Sequence, residues 1–143
     1  MKIKKAIMDR ISNIANNKNS EIGGILGASA DGIVIDMVPD LPEESEMCRF
    51  EYYPNVDFLN KKIEEWAKDD IDFAGLFHTH FSGSKSLSEA DKVYINAIMD
   101  CAKEISKCLF FPIFTLPDNE LTVYKAYFSN DEIVIEKDEL VIA

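Results

Sequence analysis

The only two histidines of this chain, His78 and His80, stand one residue apart, and a carboxylate, Asp91, follows them after a short polar stretch. An apolar run from Phe73 to Phe77 precedes the pair, as a buried strand would. Alternate side chains of a strand share a face, so both imidazoles aim the same way. Two neutral nitrogens and one carboxylate oxygen make a zinc site whose fourth tetrahedral position is open, and that openness marks catalytic rather than structural zinc.

Each part also has a plainer reading. A His-x-His pair alone is weak evidence, because two close histidines are more often ordinary surface or core residues. Ser88-Glu-Ala-Asp91 has the form of a capping box, in which serine and carboxylate satisfy the first amides of a helix. An Asp91 that binds metal is expected to have no capacity left for capping. Glu21 opens an apolar, glycine-bearing stretch; it is either a surface glutamate or a general acid/base facing a bound water.

The elements that must carry these residues follow from periodicity. Residues 2–17 predict an amphipathic helix with Ile3, Ala6, Ile7, Ile11 and Ile14 on one face. A strand is expected over 21–27, where glycines imply close backbone approach, then an Asp-Gly turn and a returning strand over 33–38. Residues 39–46 read as a surface loop and 48–53 as a short strand. A second helix begins at 54–55 with Asn55 as cap and Leu59, Ile63, Trp66 and Ala67 as its stripe, and closes at 68–70. The histidine strand covers 71–80 and a loop covers 81–87. A third helix runs from 88 to about 106, with Tyr94, Ile98, Cys101, Ala102 and Ile105 inward. Residues 109–116 form a strand that Pro112 should confine to an edge or a bulge. Strands over 121–128 and 133–135 and a small one over 140–143 complete the chain. The expected fold is α+β, a single domain with a curved mixed β-sheet packed by about three helices.

The 143 residues suit one domain, and no apolar run approaches the roughly 20 residues of a membrane helix. A net charge of −11 argues against nucleic acid, which demands a basic footprint. Such a surface either steers a basic protein partner or only keeps the chain soluble. Cys48, Cys101 and Cys108 are read as buried free thiols. A cytoplasmic location is the default expectation.

Taken together, Glu21 with Gly24 and Gly27, then His78-Thr-His80, seven residues, Ser88, two residues and Asp91 resemble the JAMM (JAB/MPN+) zinc metalloprotease family, in its small stand-alone prokaryotic form. The resemblance covers essentially the whole chain. It implies a JAB/MPN-like fold, zinc held by His78, His80 and Asp91, Glu21 as general acid/base and Ser88 as oxyanion stabiliser. It implies hydrolysis of a peptide or isopeptide bond after the C-terminal tail of a ubiquitin-like or sulfur-carrier protein, with an E1-like enzyme in the same pathway. One departure is Phe81, where many members have proline. The competing functions are a non-catalytic MPN-type interaction scaffold and a zinc hydrolase of small peptide or amino-acid conjugates.

Overall fold

The computed structural model describes residues 1–17, 20–41, 55–81 and 83–143. Its elements are β1 (Lys2–Ile3), α1 (Lys5–Asn16), β2 (Gly23–Ala28), β3 (Ile33–Asp40), α2 (Val56–Lys68), β4 (Asp72–His80), α3 (Glu89–Ala102), β5 (Cys108–Thr115), β6 (Glu120–Ser129), β7 (Glu132–Asp138) and β8 (Val141–Ile142). Among the described residues eight strands form one sheet, ordered β7-β6-β5-β4-β2-β3-β1-β8. It is mixed: β4 runs parallel to β5, and β1 runs parallel to both β3 and β8, while the hairpin partners are antiparallel. The expected α+β architecture, one domain with a mixed sheet and three helices, is therefore present.

The sheet divides two hydrophobic clusters. On one side Ile7, Ile11 and Ala15 of α1 meet Leu26, Met37, Phe77 and Phe114. On the other, Leu59 and Trp66 of α2 and Ile95, Met99 and Ala102 of α3 meet Ile25, Leu76, Phe111 and Ile113. Burying each such aliphatic or aromatic side chain stabilises the fold by about 1.5–3 kcal/mol. Period-2 alternation along β4 sends Leu76, His78 and His80 toward α3, and Phe77 and Thr79 toward α1.

Two glycines fix how closely the central strands approach. A Cβ on Gly24 would lie 2.3 Å from the Val38 carbonyl oxygen and 2.8 Å from the Phe77 ring. At Gly75, with φ of 144°, it would lie 1.7 Å from the Phe110 carbonyl oxygen. Gly75→Ala is therefore expected to destabilise the protein by about 2 kcal/mol, through both the backbone conformation and the clash. Urea unfolding of the two proteins side by side checks this; an unchanged midpoint refutes it.

Several elements depart from expectation. Residues 2–3 are a strand, not the first turn of a helix, because β1 pairs with β3 and β8; Ala6 is exposed. Glu21 and Ile22 precede β2 rather than forming its start. Pro39 and Asp40 extend β3 instead of opening a surface loop, and Asp40 is buried, accepting the Asn55 N–H at 2.7 Å. The Asn55 cap holds: its side chain accepts the Phe58 N–H at 3.3 Å. Ala67, placed in the α2 stripe, is exposed. Helix α3 ends at Ala102; Ala102 is buried and Tyr94 and Ile98 pack half-buried against the core as expected, but Ile95 and Met99 join that face, Cys101 is exposed and Ile105 is 72% exposed. Pro112 lies inside the sheet, not at an edge, since β5 is flanked by β4 and β6. Along β4 and β5 the partners Gly75↔Phe110 and His78↔Ile113 keep one offset, and Pro112 falls in the interval between them. Cys101 and Cys108 are exposed rather than buried. The expected strand at 48–53, most of the expected loop at 39–46, and Cys48 lie outside the described residues.

Candidate metal centre

The site forms where the end of β4 meets the start of α3. Ser88 is the N-cap of α3, and its hydroxyl oxygen accepts the Asp91 N–H at 3.0 Å. Asp91 Oδ2 in turn accepts the Ser88 N–H at 2.9 Å, which completes a capping box. The cap is formed, and Asp91 faces both histidines while making it. A carboxylate has about four lone-pair directions. Asp91 spends one on the cap and still faces both histidines, with Oδ1 3.3 Å from His78 Nε2 and Oδ2 3.3 Å from His80 Nε2.

The two Nε2 atoms are 2.9 Å apart, and all three residues are buried. One donor atom from each of His78, His80 and Asp91 lies within 4.8 Å of the others, a cluster that can hold a metal ion. Donor atoms about 2.0–2.1 Å from a tetrahedral zinc stand roughly 3.3–3.4 Å from one another. The His–Asp separations match that spacing and the His–His separation is a few tenths of an ångström short of it. Two imidazoles and a carboxylate also form a donor set that suits zinc chemically.

Both imidazoles are held from behind. His80 Nδ1 lies 2.9 Å from the Ser84 carbonyl oxygen, and His78 Nδ1 lies 2.9 Å from the Tyr94 hydroxyl. With Nδ1–H donated to an acceptor, Nε2 is the nitrogen left for a metal. Lys85 keeps the Ser84 segment in place: its carbonyl accepts the Tyr124 hydroxyl at 2.7 Å, and its ammonium pairs with Asp118 and Glu120.

The electrostatics suit a cation. Burial pushes the His78 imidazole below its ordinary pKa, against the pull of Asp91. His80 is raised, first by its hydrogen bond to Asp91 and further by the Ser84 carbonyl and the Glu21 charge, with burial opposing. Burial acts to raise Asp91, but its hydrogen bonds to both imidazoles win and hold it well below the usual carboxylate range. An ionised carboxylate beside imidazoles is the state a metal ion binds.

Glu21 reaches this neighbourhood through Thr79. The Ile22 N–H donates to Thr79 Oγ1 at 2.9 Å, and the Thr79 N–H donates to the Ile22 carbonyl at 2.9 Å. The β2–β4 ladder ends at Gly23↔His78, and Glu21, two residues earlier, is close enough to His80 for its charge to raise that imidazole. Glu21 is half-buried and Ser88 is exposed.

Sequence reading missed the parts of the site outside the motif. Tyr94 packs against the core as its place in the α3 stripe implies, and its hydroxyl also reaches His78, a role periodicity does not signal. Ser84 contributes a backbone atom, for which side-chain chemistry gives no signal. Thr79 was only the spacer between the histidines.

No known protein-family description and no curated protein sequence matches the chain. Solved structures do. A protein from Desulfitobacterium hafniense aligns with a TM-score of 0.68 at 17% identity, covering 99% of this chain and 92% of that one. A protein from Salinibacter ruber aligns at 0.60 and 18% identity, covering 100% and 92%. A JAB1/MPN domain protein from Archaeoglobus fulgidus aligns at 0.57 and 18% identity, covering 100% and 97%. At these identities the likeness concerns the fold, and the fold of this chain is JAB1/MPN-like.

Proposed function

We propose that this protein is a zinc-dependent hydrolase of a peptide or isopeptide bond, acting on the C-terminal tail of a ubiquitin-like or sulfur-carrier protein made available by an E1-like enzyme in the cytoplasm. The observation that carries the reading is the triad of His78, His80 and Asp91 at tetrahedral ligand spacing on a JAB1/MPN-like fold. A zinc ion held there would supply Lewis acidity and a water of pKa near 7.

The chain's own residues then have distinct tasks. Glu21 takes a proton from the attacking water and passes it to the departing amine. Ser88 is suited to the developing oxyanion: its oxygen accepts from the Asp91 N–H, so its own hydrogen remains for donation. Asp91 holds the start of α3 against the end of β4, which keeps Ser88 beside the histidines.

Metal analysis of the purified protein, together with hydrolysis of a ubiquitin-like protein carrying a fluorogenic amine on its terminal glycine, tests this. About one zinc per chain, as a three-ligand site predicts, with release of the amine, is expected. No zinc uptake at neutral pH overturns the metal reading. Zinc without hydrolysis of any ubiquitin-like tail overturns the substrate reading.

A further inference from the structure

Behind His80 stands a backbone carbonyl, that of Ser84; behind His78 stands a side chain, that of Tyr94. Its phenol lies on the α3 face that also carries Asp91, three residues away, and its hydroxyl sits 2.9 Å from His78 Nδ1. The ring meets the His78 ring edge-on, with centroids 5.8 Å apart and planes at 80°, and it meets Phe111 at 6.3 Å and 69°. These contacts fix both where the hydroxyl is and which way the imidazole turns.

We propose that Tyr94 is a positioning residue of the metal centre: its hydroxyl accepts the His78 Nδ1–H and so fixes the ring with Nε2 aimed at the metal. The inference rests on the metal reading above and goes beyond it, because Tyr94 lies outside the ligand set. Its consequence is that α3 supplies the centre twice, once through the Asp91 carboxylate and once through the partner of His78. The seat of α3 on the sheet then sets metal affinity. His80 is held differently, by the Ser84 carbonyl of the 81–87 loop. The two imidazoles therefore answer to different elements of the fold. The alternative is that Tyr94 is only a packed aromatic of the core, with its hydroxyl incidental.

The discriminating variant is Tyr94→Phe, which keeps both ring contacts and removes one oxygen. Zinc affinity of the native protein and the variant is measured by competition with a chromogenic chelator. Urea unfolding of both proteins is measured after metal stripping. The expected result is a loss of about 10–100-fold in zinc affinity, the usual effect of removing a hydrogen-bond partner of a ligand. Affinity within twofold of native, whatever the change in stability, overturns the proposal and leaves the packing role. Failure of the native protein to take up zinc removes the metal reading, and this proposal falls with it. If the variant does not fold, the zinc-loaded native protein decides through its long-range proton–nitrogen spectrum. A hydrogen on His78 Nδ1 showing a nuclear Overhauser contact to the Tyr94 ring supports the role; an Nδ1 without a hydrogen, or a hydrogen without that contact, overturns it.

Discussion

Glu21→Gln is expected to leave zinc in place and to lower kcat by about 10²–10⁴-fold, the usual contribution of a positioned proton-transfer group. Glutamine matches glutamate in shape and can still make hydrogen bonds, so local geometry should persist. It has no basic oxygen of comparable strength and cannot carry a proton from water to an amine. The backbone around position 21 is secured independently of the side chain, by the paired bonds between Ile22 and Thr79. Metal content and KM should therefore stay near native values while turnover collapses. The measurement is steady-state hydrolysis of the tail substrate alongside metal analysis of the same preparation. A Gln variant with native turnover removes Glu21 from the mechanism. A variant that loses zinc as well shows that Glu21 supports the metal site and not only the proton transfer.

The second large effect is at Asp91, where two roles can be pulled apart by choice of replacement. Asp91→Ala removes Oδ2, which caps α3 and faces His80, together with Oδ1, which faces His78. It should cost about 0.5–2 kcal/mol of stability through the cap. Zinc affinity should fall by more than about 100-fold, since removing a direct ligand exceeds the cost of removing a ligand's partner. Asp91→Asn keeps an acceptor for the Ser88 N–H, 2.9 Å away in the native protein. It should hold most of the cap's stability and still lose most of the affinity, because a neutral amide oxygen replaces an anionic one. Chemical unfolding of metal-stripped protein reads the first effect, and zinc competition reads the second. An Asn variant that binds zinc as the native protein does removes Asp91 from the ligand set.

Local order in the sequence identified much of this centre. Alternation along a strand forces His78 and His80 onto one face whatever the rest of the chain does. Ser88 and Asp91 close a capping box because the geometry of a helix N-terminus brings positions three apart together. The same short-range rules located β4 to within a residue and found the Asn55 cap.

What local order could not determine was every relation set by strand pairing or by the roll of a helix. The sequence separation of 57 residues between Ile22 and Thr79 is closed by the pairing of β2 with β4, which also brings Glu21 near enough for its charge to act on His80. Helix α3 has apolar residues on more than one side, so its period alone did not decide which side faced the sheet. Packing against Phe111 and Ile113 chose Ile95 and Met99, left Cys101 outside, and turned Tyr94 toward His78. Pro112 sits inside the sheet between β4 and β6, a placement its residue type alone does not favour. Short-range order supplies the atoms available for chemistry and the neighbours that share a face. Which distant groups meet them depends on pairing register and helix rotation, and these are settled by many long-range contacts at once.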